Sequence, residues 1–272
     1  MIALPMIQPK GLVASSGDFE LFKGAVNRPS RKGVKVDHRC RSYHLYQYGE
    51  KVAVFVTGNM KIADSIIFDL PVKITCPGMT ELCEAICYAA IEHLYPSVGK
   101  NRAMNYEFAQ SRDFVAGTRF AIAGIIKHVK GLRRPETISR VRLHTAGDFF
   151  STNYFAAWTR IIDSFPSLRF WAYTKSSAIL DQYSKAVLSG LVAPVPSNLN
   201  LRFSVDPTTK EMPQEAYIPH AYLMPKGEEE TISKREAKDL GFLYCPAIGS
   251  SVRCGDCNLC YATDYSIIFK EH

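Results

Sequence analysis

The sequence lacks several features that would identify a protein class at once. No apolar run approaches the ~18 residues of a membrane-spanning helix, so a spanning protein is excluded. The amino terminus has two early prolines and neither a basic start nor a sustained apolar stretch, which does not match a secretory signal peptide. Walker-type loops, Gly-x-Gly-x-x-Gly motifs, internal repeats and low-complexity tracts are also missing. We therefore expect a cytoplasmic protein that does not bind a membrane.

The composition is that of an ordinary globular protein. The chain has 272 residues, of which 47% are hydrophobic and 22% charged, enough for one large domain or two small ones. In a reducing cytoplasm its eight cysteines are not expected to form four disulfides. Their placement therefore has to be explained by metal binding, catalysis or burial.

The cysteines are unevenly distributed. Cys40 stands alone and is best explained as a small buried hydrophobe. Cysteine is absent between Cys87 and Cys245, although most of the apolar sequence lies there. The last four cysteines, Cys245, Cys254, Cys257 and Cys260, include a Cys-x2-Cys-x2-Cys run. A complete four-thiolate set fits tetrahedral zinc and equally an iron–sulfur cubane, and spacing alone does not choose between the two.

The first group reads Cys76-Pro-Gly-Met-Thr-Glu-Leu-Cys83-Glu-Ala-Ile-Cys87. Pro77 and Gly78 mark a turn, Thr80 is a plausible helix cap, and Cys83 and Cys87 are predicted to lie four residues apart on one helical face. Three thiolates leave one coordination position open unless Cys40 or a histidine such as His38 fills it. An open position is what a reactive metal centre needs.

Strands and helices alternate through the middle of the chain. Strands are predicted at Arg140–His144, Leu168–Thr174 and Leu199–Val205, with others near residues 51–57, 66–74, 220–223 and 242–244. Helices are predicted at 103–132, 153–165, 178–189 and 233–240. This alternation indicates βαβ units, so the predicted fold is α/β: a partial (βα)6-type parallel barrel or an open parallel sheet, with a cysteine-rich extension. The predicted segments are a basic region packed on the core (1–64), the βα core with the three-cysteine loop (65–244) and a metal-binding tail (245–272).

Polar residues follow three of the predicted strands, at His144 to Ser151, at Lys175 and at Asp206. Because the carboxyl ends of parallel strands meet at one rim, these groups are expected to converge with the three-cysteine loop. Asp148, Lys175 and His144 are the predicted catalytic residues. The alternatives are ordinary: a turn and helix cap for Asp148 and Ser151, a solvated charge for Lys175 and a core position for His144.

Two basic runs account for the formal charge of +7. Residues 28–41 hold six basic side chains with tyrosines following, and a second run extends from Lys127 to Arg142. Basic groups beside aromatic rings can bind nucleic acid, whereas the alternative is a solvated arm.

The motifs Cys76-Pro-Gly-Met-Thr-Glu-Leu-Cys83-x3-Cys87-Tyr-Ala, Arg142-Leu-His144-Thr-Ala-Gly-Asp148 and Ala172-Tyr-Thr-Lys175-Ser, with the closing cysteines, resemble an uncharacterised phage-encoded family, the gene-product-eighty-eight type. The resemblance runs from about Leu70 to Tyr261 and places the protein in the host cytoplasm. A more distant similarity is to radical S-adenosylmethionine enzymes, although their loop spacing is Cys-x3-Cys-x2-Cys. That similarity implies that Gly147 and Asp148 hold the methionine amino group and that a free iron chelates the cofactor. The predicted cofactor-binding residues are Gly147, Asp148, Ser151 and Asp206.

Different functions follow from these features. The first is a radical-type iron–sulfur enzyme with one cubane on Cys76, Cys83 and Cys87, an auxiliary cluster on the closing four cysteines, an external electron donor and a nucleic acid or nucleotide substrate. The second is a zinc-stabilised nucleic-acid-binding protein without catalysis. The third is an iron–sulfur protein that senses or transfers electrons. The oligomeric state and the substrate stay open.

Overall fold

The computed structural model describes residues 11–24, 41–58, 62, 65–132, 137–214, 218–227, 233–247 and 252–271, without the side chains of 91–93 and 255. Cys40 and His38 lie outside these residues, as does the basic run up to residue 40.

One mixed sheet of eleven strands contains every strand of the described chain. The strands are β1 (Leu12–Ser16), β2 (Phe19–Lys23), β3 (Arg41–Gln47), β4 (Glu50–Thr57), β5 (Ser65–Phe68), β6 (Arg140–Leu143), β7 (Arg169–Thr174), β8 (Leu199–Val205), β9 (His220–Met224), β10 (Phe242–Tyr244) and β11 (Ser266–Lys270). Their order in the sheet follows the chain except that β11 lies between β9 and β10.

The sheet has an antiparallel part and a parallel part. Strands β1 to β5 pair antiparallel, whereas all pairs from β5 to β10 are parallel. The predicted α/β class is therefore confirmed as a large, mostly parallel sheet with helices. The finer choice between a partial barrel and an open sheet stays a prediction. The antiparallel strands β1 to β3 and the parallel strand β11 have no counterpart in the predicted set.

The helices are α1 (Glu81–Ala85), α2 (Pro96–Ala109), α3 (Phe114–Lys130), α4 (Thr152–Asp163), α5 (Ser177–Leu188), α6 (Lys234–Asp239), α7 (Cys254–Cys257) and α8 (Leu259–Ala262), with a 3-10 helix at Tyr88–Leu94. The prediction of a single helix over 103–132 is wrong, because α2 ends at Ala109 and a separate helix, α3, begins at Phe114. The break places the rings of Phe108 and Phe114 edge to face, 5.5 Å apart, in the core.

The two faces of the parallel sheet differ in chemistry. On one face, which we call the helix face, Val141, Leu143 and Phe170 are buried in one core with residues of α3, α4 and α5. The opposite face carries Arg142, Trp171 and Tyr173, and it is covered in part by α8 of the cysteine-rich tail. We call this second surface the tail face. Side-chain alternation along each strand separates the two sets.

Candidate functional site

The three-cysteine loop starts soon after β5 and contains a very short helix. The Thr80 hydroxyl caps α1 by accepting a hydrogen bond from the Cys83 amide at 3.2 Å, as predicted for this residue. The helix then ends at Ala85, with Ile86 as its closing residue. Cys87 therefore lies beyond the helix, and the prediction that Cys83 and Cys87 share one helical face is wrong.

The loop is fastened to the carboxyl ends of β7 and β8. Thr80 donates to Asp206 Oδ2 at 2.6 Å, and the Leu82 amide donates to Thr208 Oγ1 at 3.1 Å. Gly78 lies so close to the backbone of Lys175 that a Cβ there would be 1.8 Å from the carbonyl oxygen. Only glycine fits this approach. The loop, Lys175 and Asp206 are thus brought together as the strand order predicted.

Asp206 and Lys175 form a buried ion pair beneath the loop. Lys175 Nζ lies 2.6 Å from Asp206 Oδ2, and the exposed fractions of the two side chains are 11% and 0%. Lys175 also donates to the Ser204 carbonyl, and Thr208 donates to Asp206 Oδ1 from its amide and its hydroxyl. Burial opposes ionisation of Asp206, but these donors lower its pKa to about 2. Lys175 is therefore a buried, paired charge, and the alternative of a solvated surface lysine is wrong.

Asp148 is the second buried carboxylate of this rim. Its Oδ1 accepts from the Phe149 amide, and its Oδ2 accepts from the Lys175 amide at 2.8 Å and lies 3.2 Å from the Ser176 hydroxyl. Burial raises the pKa of Asp148 to about 6, and the hydrogen bonds only partly offset that effect. Asp148 is therefore protonated more readily than an ordinary aspartate, and its hydrogen bond from the Lys175 amide fixes the start of the segment after β7.

The thiols of the loop lie within electrostatic range of these groups. Burial, the Asp148 charge and the Cys83 thiolate raise the pKa of Cys76 to about 12. The pKa of Cys83 is also raised. Burial is the largest cause, Cys87, Asp206 and Asp148 add to it, and the Lys175 charge opposes it. Among the described residues, no group of three or more Cys, His, Asp or Glu side chains is arranged at metal-binding distance. The thiols are neighbours, but their sulfurs do not converge on one point.

The other predicted residues after β6 have mainly structural contacts. His144 is buried in the aromatic core, 2.9 Å from the Tyr154 hydroxyl, and burial and Arg142 lower its pKa to about 3. Ser151 caps α4 by accepting from the Tyr154 amide. Gly147 has φ +80°, and a Cβ there would be 2.6 Å from that of Leu70. The contacts of His144 are therefore with the aromatic rings of the core, including Phe149, and the roles predicted for these residues stay predictions.

Asp69 is a residue of this rim that the sequence reasoning missed. It follows β5 directly and accepts from the amides of Thr145 and Ala146 and from the Thr145 hydroxyl. Tyr88, next to Cys87, donates to the Thr145 carbonyl, so the loop is tied to the end of β6 as well. The signal was a polar residue at a strand end. It was hidden because the strand was predicted to continue to residue 74, whereas β5 ends at Phe68.

A cavity of about 320 Å³ opens beside the loop. The residues that line it include Gly78, Thr80, Lys175, Thr208, Lys210 and Glu211. A volume of this size is at the lower end of the range for small-molecule sites.

The four-cysteine tail is held to the sheet by Arg202. This arginine is 1% exposed and donates to the carbonyls of Leu259, Cys260, Thr263 and Tyr265. Cys254 and Cys257 lie three residues apart in α7, which ends at Asn258 in the left-handed conformation before α8 begins. The run Cys-x2-Cys-x2-Cys thus forms two short helices on the tail face.

The tail thiols act on one another and on nearby arginines. Burial and the thiolates of Cys260, Cys245 and Cys257 raise the pKa of Cys254 to about 11, while Arg142 lowers it. Burial also raises the pKa of Cys260, although the Tyr173 hydroxyl and the charges of Arg202 and Arg142 each lower it. The four predicted ligands are therefore electrostatic neighbours.

The second basic run is divided by the fold. Lys127 and Lys130 are exposed in the last turn of α3, whereas Arg142 is 6% exposed on the tail face and cannot contribute to a surface patch. Within the described ranges, no helix has both the length and the apolar character needed to cross a membrane.

Comparison with known proteins gives a family and two relatives. The family model described as "Gene product 88" matches residues 44–264. The chain is 29% identical over 220 residues to the Gene 88 protein of Mycobacterium phage D29 and 27% identical over 222 residues to that of Mycobacterium phage L5. Each alignment covers 77% of this chain and 87% of the relative. No solved structure matches the chain significantly.

Proposed function

Because the chain belongs to the gene product 88 family of phage proteins, whose name states no activity, we propose a function from its site: an iron–sulfur enzyme of the radical S-adenosylmethionine type. One cubane would be held by Cys76, Cys83 and Cys87, and a second cluster by Cys245, Cys254, Cys257 and Cys260. An external electron donor and a nucleotide or nucleic acid substrate belong to the same proposal.

The observation that carries the proposal is the anchoring of the three-cysteine loop at the carboxyl ends of parallel strands. Hydrogen bonds from Thr80 to Asp206 and from Leu82 to Thr208, with the close approach of Gly78 to Lys175, fix the loop over β7 and β8. In α/β folds this edge of the sheet is where ligands bind and reactions occur. The loop therefore presents its thiols at the position where chemistry is expected.

The donor sets fit a cationic cluster. Burial and mutual repulsion favour the protonated thiols, as the raised pKa values of Cys76 and Cys254 indicate. A bound cation reverses that preference, because it stabilises thiolates and releases their protons. Because the sulfurs do not converge on one point in this structure, rearrangement of the cysteine side chains on cluster binding is part of the proposal. A cubane held by only three cysteines supplies, when bound, an open coordination position for S-adenosylmethionine.

The buried carboxylates suit a supporting role around such a centre. Both oxygens of Asp206 and both of Asp148 already accept hydrogen bonds from the protein. Asp206 holds the loop and Lys175 in place, and Asp148 holds the turn after β7. Direct contact of Asp148, Asp206, Gly147 or Ser151 with a cofactor, and catalysis by Lys175, Asp148 or His144, remain proposals. The cavity beside Lys175 is large enough for part of a nucleotide.

The experiment is anaerobic purification with iron, sulfide and zinc analysis and a visible absorption spectrum. We expect a brown protein whose iron content falls by half in Cys83→Ser and by half in Cys257→Ser, because each substitution disables one site. Exposed Ser189→Ala serves as the control and should keep the full content. Colourless protein that contains only zinc would overturn the proposal and favour the zinc-stabilised alternative.

A further inference from the structure

Arg142 occupies an unusual position on the tail face. It lies in β6 opposite Trp171 of β7, and its guanidinium carbon is 4.2 Å from the ring centroid of Trp171 and 4.1 Å from that of Tyr173. The residue is 6% exposed. Stacking on two rings fixes the plane of the guanidinium and therefore the direction of its N–H groups.

Two of the three guanidinium nitrogens of Arg142 are buried without an acceptor among the described residues. Within the described part of the chain, its Nε and Nη1 have no hydrogen-bond partner, and neither has the neighbouring Trp171 Nε1. Arg202, on the same face, instead donates to four backbone carbonyls. A buried charged donor without an acceptor is costly, so such a group indicates a missing partner.

The missing partner must be an acceptor provided from within the protein. Less than 1 Å² of each nitrogen is accessible to solvent, so an anion arriving from solution does not reach them. Cys254 and Cys260 lie close enough for the Arg142 charge to act on both thiols, and Tyr173 acts on Cys260 from the same side. Cys254, Cys260 and Tyr173 also pack against the buried cluster that contains Trp171, and Arg142 is stacked on the rings of Trp171 and Tyr173. The acceptor atoms available beside Arg142 therefore include the sulfurs of the tail.

We propose that Arg142 donates hydrogen bonds from Nε and Nη1 to the sulfur atoms of the metal-loaded four-cysteine tail and thereby strengthens metal binding. This inference rests on the proposed function of the tail. Four thiolates around a divalent ion, or around a 4Fe–4S core of the same charge, leave a net charge of about −2. Arg142 would neutralise part of that charge with a fixed pair of donors, which makes it a positioning residue for the metal ligands.

The test is titration of the metal-free, reduced protein with Co²⁺, followed by the thiolate-to-cobalt absorption band. All variants carry Cys83→Ser and Cys87→Ser in the full chain, so that only the tail contributes the band. We expect Arg142→Met to weaken Co²⁺ binding about 10- to 100-fold, the range found when an outer hydrogen-bond partner of a metal ligand is removed. Arg142→Lys, which keeps the charge and loses the fork, should lie in between.

The control is Arg169→Met, which removes an equal charge from an exposed position at the start of β7 and should leave Co²⁺ affinity unchanged. Thermal denaturation of the metal-free proteins shows which variants are folded. Trp171→Phe provides a further variant, which loses the Nε1 donor of Trp171 and keeps an aromatic ring beside Arg142. Equal affinity in Arg142→Met and Arg169→Met would overturn the role of Arg142 alone. A parent protein without a cobalt–thiolate band would overturn the metal site in the tail and this inference with it.

Discussion

Lys175→Met tests the anchoring of the three-cysteine loop through the buried ion pair. The substitution leaves the Asp206 carboxylate buried at 0% exposure without its cation, and it also removes the hydrogen bond to the Ser204 carbonyl. Breaking a buried pair by removing one partner costs about 3–5 kcal/mol. Asp206 keeps its donors Thr80 and Thr208, so we expect the lower end, about 3 kcal/mol, in urea denaturation at pH 7 with reductant and chelator present.

The cost should depend on pH in a defined direction. The pKa of Asp206 in the folded protein is about 2, below its ordinary value, so its ionisation stabilises the fold above about pH 4 and this contribution is lost as the pH falls towards 2. Removing Lys175 raises that pKa, so the difference between variant and parent should shrink in acid. The double variant with Asp206→Asn should recover part of the loss, because no charge remains buried.

Lys210→Met is the matched control for Lys175→Met. It breaks an ion pair of similar length, 2.8 Å to Glu81, whose side chains are 79% and 75% exposed. Exposed pairs contribute little, so we expect no measurable change. Equal effects of the two substitutions would refute the account of the buried pair.

Three further predictions concern Asp148, Gly78 and Arg202. Because the folded pKa of Asp148 is raised to about 6, the parent should lose roughly 3 kcal/mol of unfolding free energy from this group as the pH rises from 4 to above 6. Urea denaturation of Asp148→Asn at the same pH values should lack this pH dependence. An equal pH dependence in parent and variant would contradict the prediction. Gly78→Ala should lower the free energy of unfolding by about 3 kcal/mol or more, because the new Cβ meets the Lys175 carbonyl. The control Gly99→Ala, which has open space around it in α2, should be neutral or stabilising. Similar denaturation midpoints for the two variants would argue against the close approach of Gly78 to Lys175. In Arg202→Met, limited proteolysis should cleave within residues 259–265 before it cleaves the core of the protein, whereas Arg169→Met should be cleaved like the parent. If Arg202→Met resists proteolysis as well as the parent does, the hydrogen bonds from Arg202 are not what holds the tail on the sheet.

Much of the parallel sheet could be predicted because its strands are short β-rich segments that alternate regularly with helical segments. The bounds of β8 and β10 are those predicted, and β7 starts one residue later than predicted. The strands β1, β2, β3 and β11 were missed. For β1 and β2 the reason is that five-residue segments with exposed positions give a weak periodic signal.

The proximity of several predicted residues could be inferred from the sequence, whereas their detailed geometry could be inferred only in part. The convergence of Asp148, Lys175 and Asp206 follows from the rule that parallel strand ends share one edge. The position of His144 in the core does not follow, because it depends on a backbone φ of +58° at the end of β6 that local sequence does not reveal. The burial of Arg142 was hidden for a different reason. Within a basic run, sequence alone does not show that two aromatic side chains of the next strand cover it.

The central proposal is that Cys76, Cys83 and Cys87 hold a cubane with an open position for S-adenosylmethionine. The most direct measurement is electron paramagnetic resonance of the anaerobic, reduced protein in a Cys257→Ser variant, recorded with and without S-adenosylmethionine. We predict an iron–sulfur signal that changes when S-adenosylmethionine is added, and that disappears when Cys83→Ser is introduced as well. A signal that S-adenosylmethionine leaves unchanged, or the absence of any signal from the loop, would contradict the proposal.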